Sequence, residues 1–248
     1  MKKIVFVLVV LAVVVFNACK KSETFVTDTI TDYAPYKVGK YITYTLDSFK
    51  FINFGKKDTI TSWQVKYQVD AEITDNLGRP AFRVIRFIRK KEIDPWVPDN
   101  TFMAVPQKNT LEFIENNFRF IKLKAPIYNG YSWKGNSYID ATSQKSEVKY
   151  LADWDYVYDS VGEPLTLGNL SIDSSLKVMQ RDEVLGDPNN PKAYSEINIG
   201  IEKYAKGIGM VYRKFLHTEF QAPAPNDPNP GSYADGSYGV TLIMIDHN

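Results

Sequence analysis

The stretch from residue 57 to residue 91, KDTITSWQVKYQVDAEITDNLGRPAFRVIRFIRKK, constrains the fold more than any other. Trp63, Val65, Tyr67, Val69, Ala71 and Ile73 share one parity, while Ile60, Ser62 and Gln64 lie on the other. A period of two, built from β-branched and aromatic residues, marks a half-buried strand. Asn76 and Gly78 supply turn conformations and AFRVIRFIRKK returns, so residues 60–90 read as a hairpin. Ala81, Val84, Ile85 and Ile88 would also suit a helix face; the turn before them and the Val/Ile content decide for a strand.

The pattern recurs along the chain. YAPYKVGKYITYTLDSFKF starts the folded part, and TFMAVP, TLEFIEN and FRFIKLK follow as short strands. Asn116-Asn117 makes a tight turn between the last two, and IDPWVPDN and APIYNGYSWKGNSY read as loops. SEVKYLADWDYVYD is expected to form one long strand. Val148, Tyr150, Ala152, Trp154, Tyr156 and Tyr158 lie on its apolar parity; Lys149, Asp153, Asp155 and Asp159 lie on the other. SVGEPLTLGN turns, SSLKVMQRDE and AYSEINIGIEKYAKG pair across GDPNNPK, and IGMVYRKFLHTEFQ and YGVTLIMIDHN close the domain. The intervening APAPNDPNPGSYADGS suits a mobile loop. About ten strands in hairpins, with no long helical period and no 20–50-residue repeat, predict a mainly β fold. The expected form is a single antiparallel, strongly curved sheet or a barrel or half-barrel; a two-layer β-sandwich is the alternative. Residues 35–248 fit one β-rich domain, large enough to bury a core without covalent staples.

The N-terminus carries an address. Lys2 and Lys3 precede thirteen apolar residues, Ile4 to Phe16. That run is too short to span a bilayer core, which needs about 20 residues, and reads as a signal peptide over residues 1–18. Phe16 is too bulky for ordinary cleavage, whereas Ala18 directly precedes Cys19, the only cysteine. The arrangement resembles a lipobox, in which the cysteine is lipidated and becomes the first mature residue. Phe16 and Asn17 depart from its usual pattern. Each buried acyl methylene contributes about 0.8 kcal/mol, so two or three chains make a stable anchor. Residues 19–34 read as the lipidated cysteine and a polar tether. Losing residues 1–18 removes Lys2 and Lys3 and no acid, leaving 28 basic against 29 acidic residues, a net charge of −1. That balance excludes the basic footprint of a nucleic-acid binder.

Few residues suggest chemistry. Only His217 and His247 are present, neither in a metal-binding spacing, so no metal is expected. Asp227, Asn229 and Asp235 suggest a calcium loop, but Ser232 stands where a calcium hand needs Gly. No P-loop, GxGxxG or GxSxG motif occurs, and no cofactor is implied. His217 reads as a half-exposed strand histidine. Asp153 and Asp155 would share a strand face with Cα atoms about 7 Å apart. That spacing suits the two carboxyls of a glycosidase and equally suits a solvated face. Aromatic rings stack on sugars, so Trp154 and Tyr156 are candidate ligand contacts, as are Trp133 and Tyr131 at a loop rim. Arg83, Arg86, Arg89, Lys90 and Lys91 form a basic row suited to phosphates or to a charged sheet edge.

The lipobox, VGKYITYTLDS, YSWKGN, EKYAKGIGMVYRKF and YGVTLIMIDHN together resemble a group of uncharacterised lipoproteins of Bacteroidetes-type Gram-negative bacteria. The resemblance covers most of residues 36–248. It implies an outer-membrane lipoprotein with a β-rich domain, and brings no activity or catalytic residue. Lys20 after Cys19 agrees with outer-membrane sorting; Glu23 alone is a sparse acidic signal for surface display, so the facing side stays open. The first expectation is a lipid-anchored, non-enzymatic domain that binds a glycan, a lipid or an envelope protein. The alternatives are a glycan-directed hydrolase and a structural envelope component.

Overall fold

A computed structural model describes residues 27–228 and 230–248, so Cys19, the signal segment and Asn229 lie outside the described residues. One antiparallel sheet accounts for nearly all of the secondary structure. Its strands are β1 (Tyr41–Ile52), β2 (Lys57–Thr74), β3 (Pro80–Arg89), β4 (Val97–Pro106), β5 (Thr110–Glu115), β6 (Phe118–Lys124), β7 (Ser132–Lys134), β8 (Asp155–Leu167), β9 (Leu170–Gly186), β10 (Ser195–Ala205), β11 (Gly209–Gln221), β12 (Ser232–Tyr233) and β13 (Tyr238–His247). The order is β6-β5-β4-β3-β2-β1-β13-β11-β10-β9-β8-β7, with β12 paired to β11. The chain thus runs as two meanders joined where β13 slots between β1 and β11.

The sheet curls until its two ends meet, forming a nearly closed barrel. Closure relies on few bonds. Ile121 N donates to Gly135 O at 2.8 Å, just beyond β7. The Trp133 indole Nε1 donates to Ile121 O at 2.8 Å, and the Tyr158 hydroxyl bridges Lys124 O and Lys124 N, each at 2.9 Å. Side chains here take over the ladder bonds that a full strand pair would supply, which is how the edge carbonyls avoid being stranded.

Local chemistry explains the turns. Asn116 and Asn117 both adopt positive φ (51° and 65°), the mirror-type turn that matches strand twist. At the β2–β3 turn, Asp75 accepts from Leu77 N and Arg79 N at 2.9 Å and from the Arg79 guanidinium at 2.7 Å. Arg79 also bridges to Glu112 on β5 at 2.7 Å, and Arg119 on β6 joins the same carboxylate, so the turn is clamped to the neighbouring hairpin.

Chain segments fill one barrel end and narrow the other. At one end the short helix α1 (Ile30–Tyr33) and the Ala34–Tyr36 that follow it enter the lumen. Ile30 and Tyr33 are buried, and Asp28 ties the segment down by accepting from the Tyr33 hydroxyl at 2.8 Å and Lys206 Nζ at 2.5 Å. The tether expected over residues 19–34 is therefore too long: from Asp28 onward the chain belongs to the fold, because its apolar residues complete the core. At the other end residues 136–154, with a 3-10 turn at Lys149–Leu151, fold back into the mouth. This corrects the long strand expected from Ser146 to Asp159. Asp153 takes φ of 56°, which breaks extended pairing, and β8 begins only at Asp155.

Candidate functional site

The lumen holds charge. Glu115 on β5, Lys122 on β6, Glu202 on β10 and Arg213 on β11 converge from four strands around the barrel. Lys122 Nζ lies 2.6 Å from Glu202 Oε1, and the Tyr204 hydroxyl donates to Glu202 Oε2 at 2.7 Å. Arg213 grips Glu115 through two bonds of 2.7 and 2.8 Å and approaches Glu202 to 3.8 Å. Glu202 is fully buried, at 0% exposure. Burial alone would raise the Glu115 carboxyl, but Arg213 and Lys122 override it and hold the pKa at about 2. Burial opposes the charge on Arg213, yet Glu115 and Glu202 keep that guanidinium firmly protonated.

This network divides the lumen. On the side of α1 lies a tyrosine-lined inner chamber of about 80 Å³, bordered by Tyr33, Tyr36, Tyr44, Tyr67 and Tyr204. On the other side lies an outer chamber of about 210 Å³. Tyr67, Lys122 and Arg213 border both, so the ion pairs form the partition. The outer walls are Phe118 and Phe120 of β6, Tyr156 of β8, Phe215 of β11 and Trp154 of the infolded segment. Asn100, Asn116 and the half-exposed Tyr238 stand at the mouth.

The infolded segment is held by its own polar groups. Trp154 Nε1 donates to Tyr150 O at 2.6 Å. Asn136 donates to Leu151 O at 2.9 Å and accepts from the Tyr156 hydroxyl at 2.8 Å. The Tyr150 ring stacks on His217 with centroids 3.9 Å apart, and its hydroxyl lies 3.4 Å from that of Tyr238. Gly200 makes room beneath: a Cβ there would sit 2.7 Å from the Trp154 ring and 2.9 Å from the Gln180 side chain.

The expected site residues divide in two. Trp154 and Tyr156 line the outer chamber, as inward-facing groups of a barrel. Trp133 is 5% exposed and lines neither chamber, correcting its placement at a rim; its indole closes the barrel seam instead. Tyr131 is half-buried and stacks on Trp133 and Tyr158, so it packs the seam too. Asp153 and Asp155 have side chains 86% and 62% exposed, with Lys134 Nζ at 3.9 and 3.1 Å. They form the solvated face, outside both chambers.

His217 is buried rather than half-exposed, and burial lowers its pKa against the opposing pull of Glu196. Its Nδ1 lies 2.8 Å from Asn198 Oδ1, in an amide and aromatic setting. The basic row breaks up. Arg83 pairs with Asp70, and Arg89 bonds Gln64 at 2.8 Å and stacks over Trp96. Arg86 instead turns inward to line the outer chamber, paired with Asp99 at 2.5 Å. Asp227 and Asp235 lie in the loop before β13; among the described residues no group of three His, Cys, Asp or Glu side chains is placed to hold a metal ion.

Sequence reasoning missed Glu115, Lys122, Gln180, Glu202 and Arg213. A signal existed for Arg213, which falls between Val211 and Phe215; Glu202 shares its parity with Glu196 and Asn198, opposite the apolar Ile197, Ile199 and Ile201, and so looks like a charge on a polar face. The fold and its lumen define a plugged β-barrel with an internal, aromatic-walled chamber. Comparison with protein-family models, with curated proteins and with solved structures finds no match.

Proposed function

We propose that the chain is a lipid-anchored cell-envelope protein that binds a small ligand inside its barrel and performs no catalysis on it. The observation that carries the reading is the outer chamber, a partly enclosed space of about 210 Å³ in which aromatic walls alternate with charged and amide side chains. Concave, partly enclosed spaces in which aromatic walls and polar groups converge are where ligand sites form. The barrel's outer face supports an aqueous setting: Arg83–Asp70 and Lys177–Asp159 are solvent-exposed pairs on it, where a lipid-facing strand would place apolar side chains. The lipobox-like Cys19 and the Lys20 that follows support attachment to the outer membrane. The α1 segment enters one barrel end, and the chamber opens at the other.

The hydrolase reading loses its support, because Asp153 and Asp155 are exposed and share Lys134. Glu115 in the lumen does not suit a general acid either: Arg213 and Lys122 hold it at about 2, whereas a catalytic acid needs a raised pKa. The test is a glycan array and a lipid overlay probed with the purified lipoprotein. Saturable binding of one small-molecule class is expected. No binding, combined with turnover of some substrate, would overturn the reading; membrane retention of Cys19→Ala would overturn the anchor.

A further inference from the structure

We propose that the outer chamber takes one neutral, hydroxylated six-membered ring, a monosaccharide unit, seated beside Trp154 and held by a hydrogen bond from the Gln180 amide; this rests on the binding reading above.

Gln180 carries the argument. It is 4% exposed and lines the outer chamber, and its Nε2 is the one buried side-chain nitrogen or oxygen among the described residues with no hydrogen-bond partner. Leaving a buried donor unmade is costly, and such orphans in folded proteins call for a partner the protein itself does not provide. The donor asks for a ligand oxygen. Gly200, whose missing side chain leaves space for both Gln180 and Trp154, sets that amide beside an aromatic face.

Charge then narrows the class. Three cations border the chamber, and each is already matched: Arg86 by Asp99 at 2.5 Å, Arg213 by Glu115 at 2.7 Å and Lys122 by Glu202 at 2.6 Å. A carboxylate or ammonium on the ligand would be a charge without a free partner among the groups that line the chamber. The remaining polar groups at the mouth are the amides of Asn100 and Asn116 and the hydroxyls of Tyr150 and Tyr238. Amides and hydroxyls both donate and accept, as sugar hydroxyls do. An aliphatic tail would desolvate them without return. The volume also fits: about 210 Å³ lies below the range of roughly 300–1,000 Å³ typical of drug-sized ligands, so one ring fits and an oligosaccharide does not.

The test titrates the full chain in detergent with D-glucose, D-galactose and N-acetyl-D-glucosamine. Glucuronate, glucosamine and dodecanoate are run in parallel, with tryptophan fluorescence and melting temperature as readouts. At least one neutral sugar is expected to give a saturable response, and both charged sugars none. Gln180→Leu should weaken that response about tenfold, the scale of one lost hydrogen bond. It should also leave the melting temperature unchanged or higher, since it removes an orphaned buried donor; a merely structural glutamine would lower it. Should Gln180→Leu misfold, Gln180→Met serves instead, with the same loss of sugar response expected. A response only to dodecanoate or a charged sugar, or an unchanged response in the variant, overturns the ligand class and leaves the binding reading standing. Silence from the neutral sugars overturns the class; silence from every probe, with blank glycan and lipid screens, overturns both.

Discussion

Replacing Glu202 with leucine tests whether the charged partition holds the barrel together. Glu202 is fully buried and accepts from Lys122 Nζ at 2.6 Å and the Tyr204 hydroxyl at 2.7 Å, with Arg213 Nε at 3.8 Å. At an effective dielectric of about 20, unit charges at the Lys122–Glu202 distance attract by roughly 6 kcal/mol before desolvation is counted. Most of that gain is cancelled by taking both ions out of water, so the intact pair contributes little net. Removing one member alone is different. Lys122 and Arg213 would then share Glu115, and the Tyr204 hydroxyl would lose its acceptor. The expected loss for Glu202→Leu is about 3–5 kcal/mol, the range for breaking a buried pair. Lys122→Met should cost less, because Glu202 keeps Tyr204 and Arg213. The double variant Lys122→Met/Glu202→Leu should recover part of the loss, since neither charge is stranded. Urea unfolding of the four proteins, followed by tryptophan fluorescence, gives the cycle. A Glu202→Leu loss under about 1 kcal/mol, or a double variant less stable than the sum of the singles, would refute the partition as described.

Glu115, normally near 4.5 and held at about 2 in the fold, adds stability that is complete above about pH 4.5 and lost as pH falls toward 2. The amount is about 3 kcal/mol, read as the change in urea midpoint over that window, and Glu115→Gln should flatten the slope there. Trp133→Phe leaves Ile121 O without its indole donor and should cost about 1–2 kcal/mol; faster amide exchange at Ile121 than in the parent would locate the loss at the seam. Asp153→Asn with Asp155→Asn should change stability by no more than about 0.5 kcal/mol and leave ligand response intact, whereas a lost response would return these two residues to the site.

How much of this was legible in the sequence depends on the range of the interaction. The β2–β3 hairpin and the Asn116-Asn117 turn were readable, because turn chemistry and parity are local. In sequence Tyr150, Trp154, Tyr156 and Tyr158 make one strand row because their spacing is even. The positive φ at Asp153 breaks that row, and Val148 and Tyr150 reach the lumen through the infolded segment instead. Trp133 looked like a rim residue because it sits among Gly and Asn, which mark loops. Its burial depends on β6 meeting β7 around the whole barrel, a contact parity cannot show. The lumen charges were hidden for the same reason. Glu115, Lys122, Glu202 and Arg213 each look like an ordinary strand charge until closure brings them face to face, and only then does the missing partner of Gln180 become visible.

The weak seam and the chamber have one cause. β7 is three residues long, Ser132–Lys134, and after Gly135 the chain leaves the sheet. A full-length strand at that position would complete the ladder against β6 and keep residues 136–154 on the outside. Instead those residues are free to fold into the mouth, where Asn136 anchors them and Tyr150 rests on His217. The infolded segment brings Trp154 over Gly200 and beside Gln180, adding an aromatic face to those that β6, β8 and β11 supply. Barrel closure is therefore left to Trp133 and Tyr158, and the length of β7 sets both where the barrel is weakest and where its chamber can form.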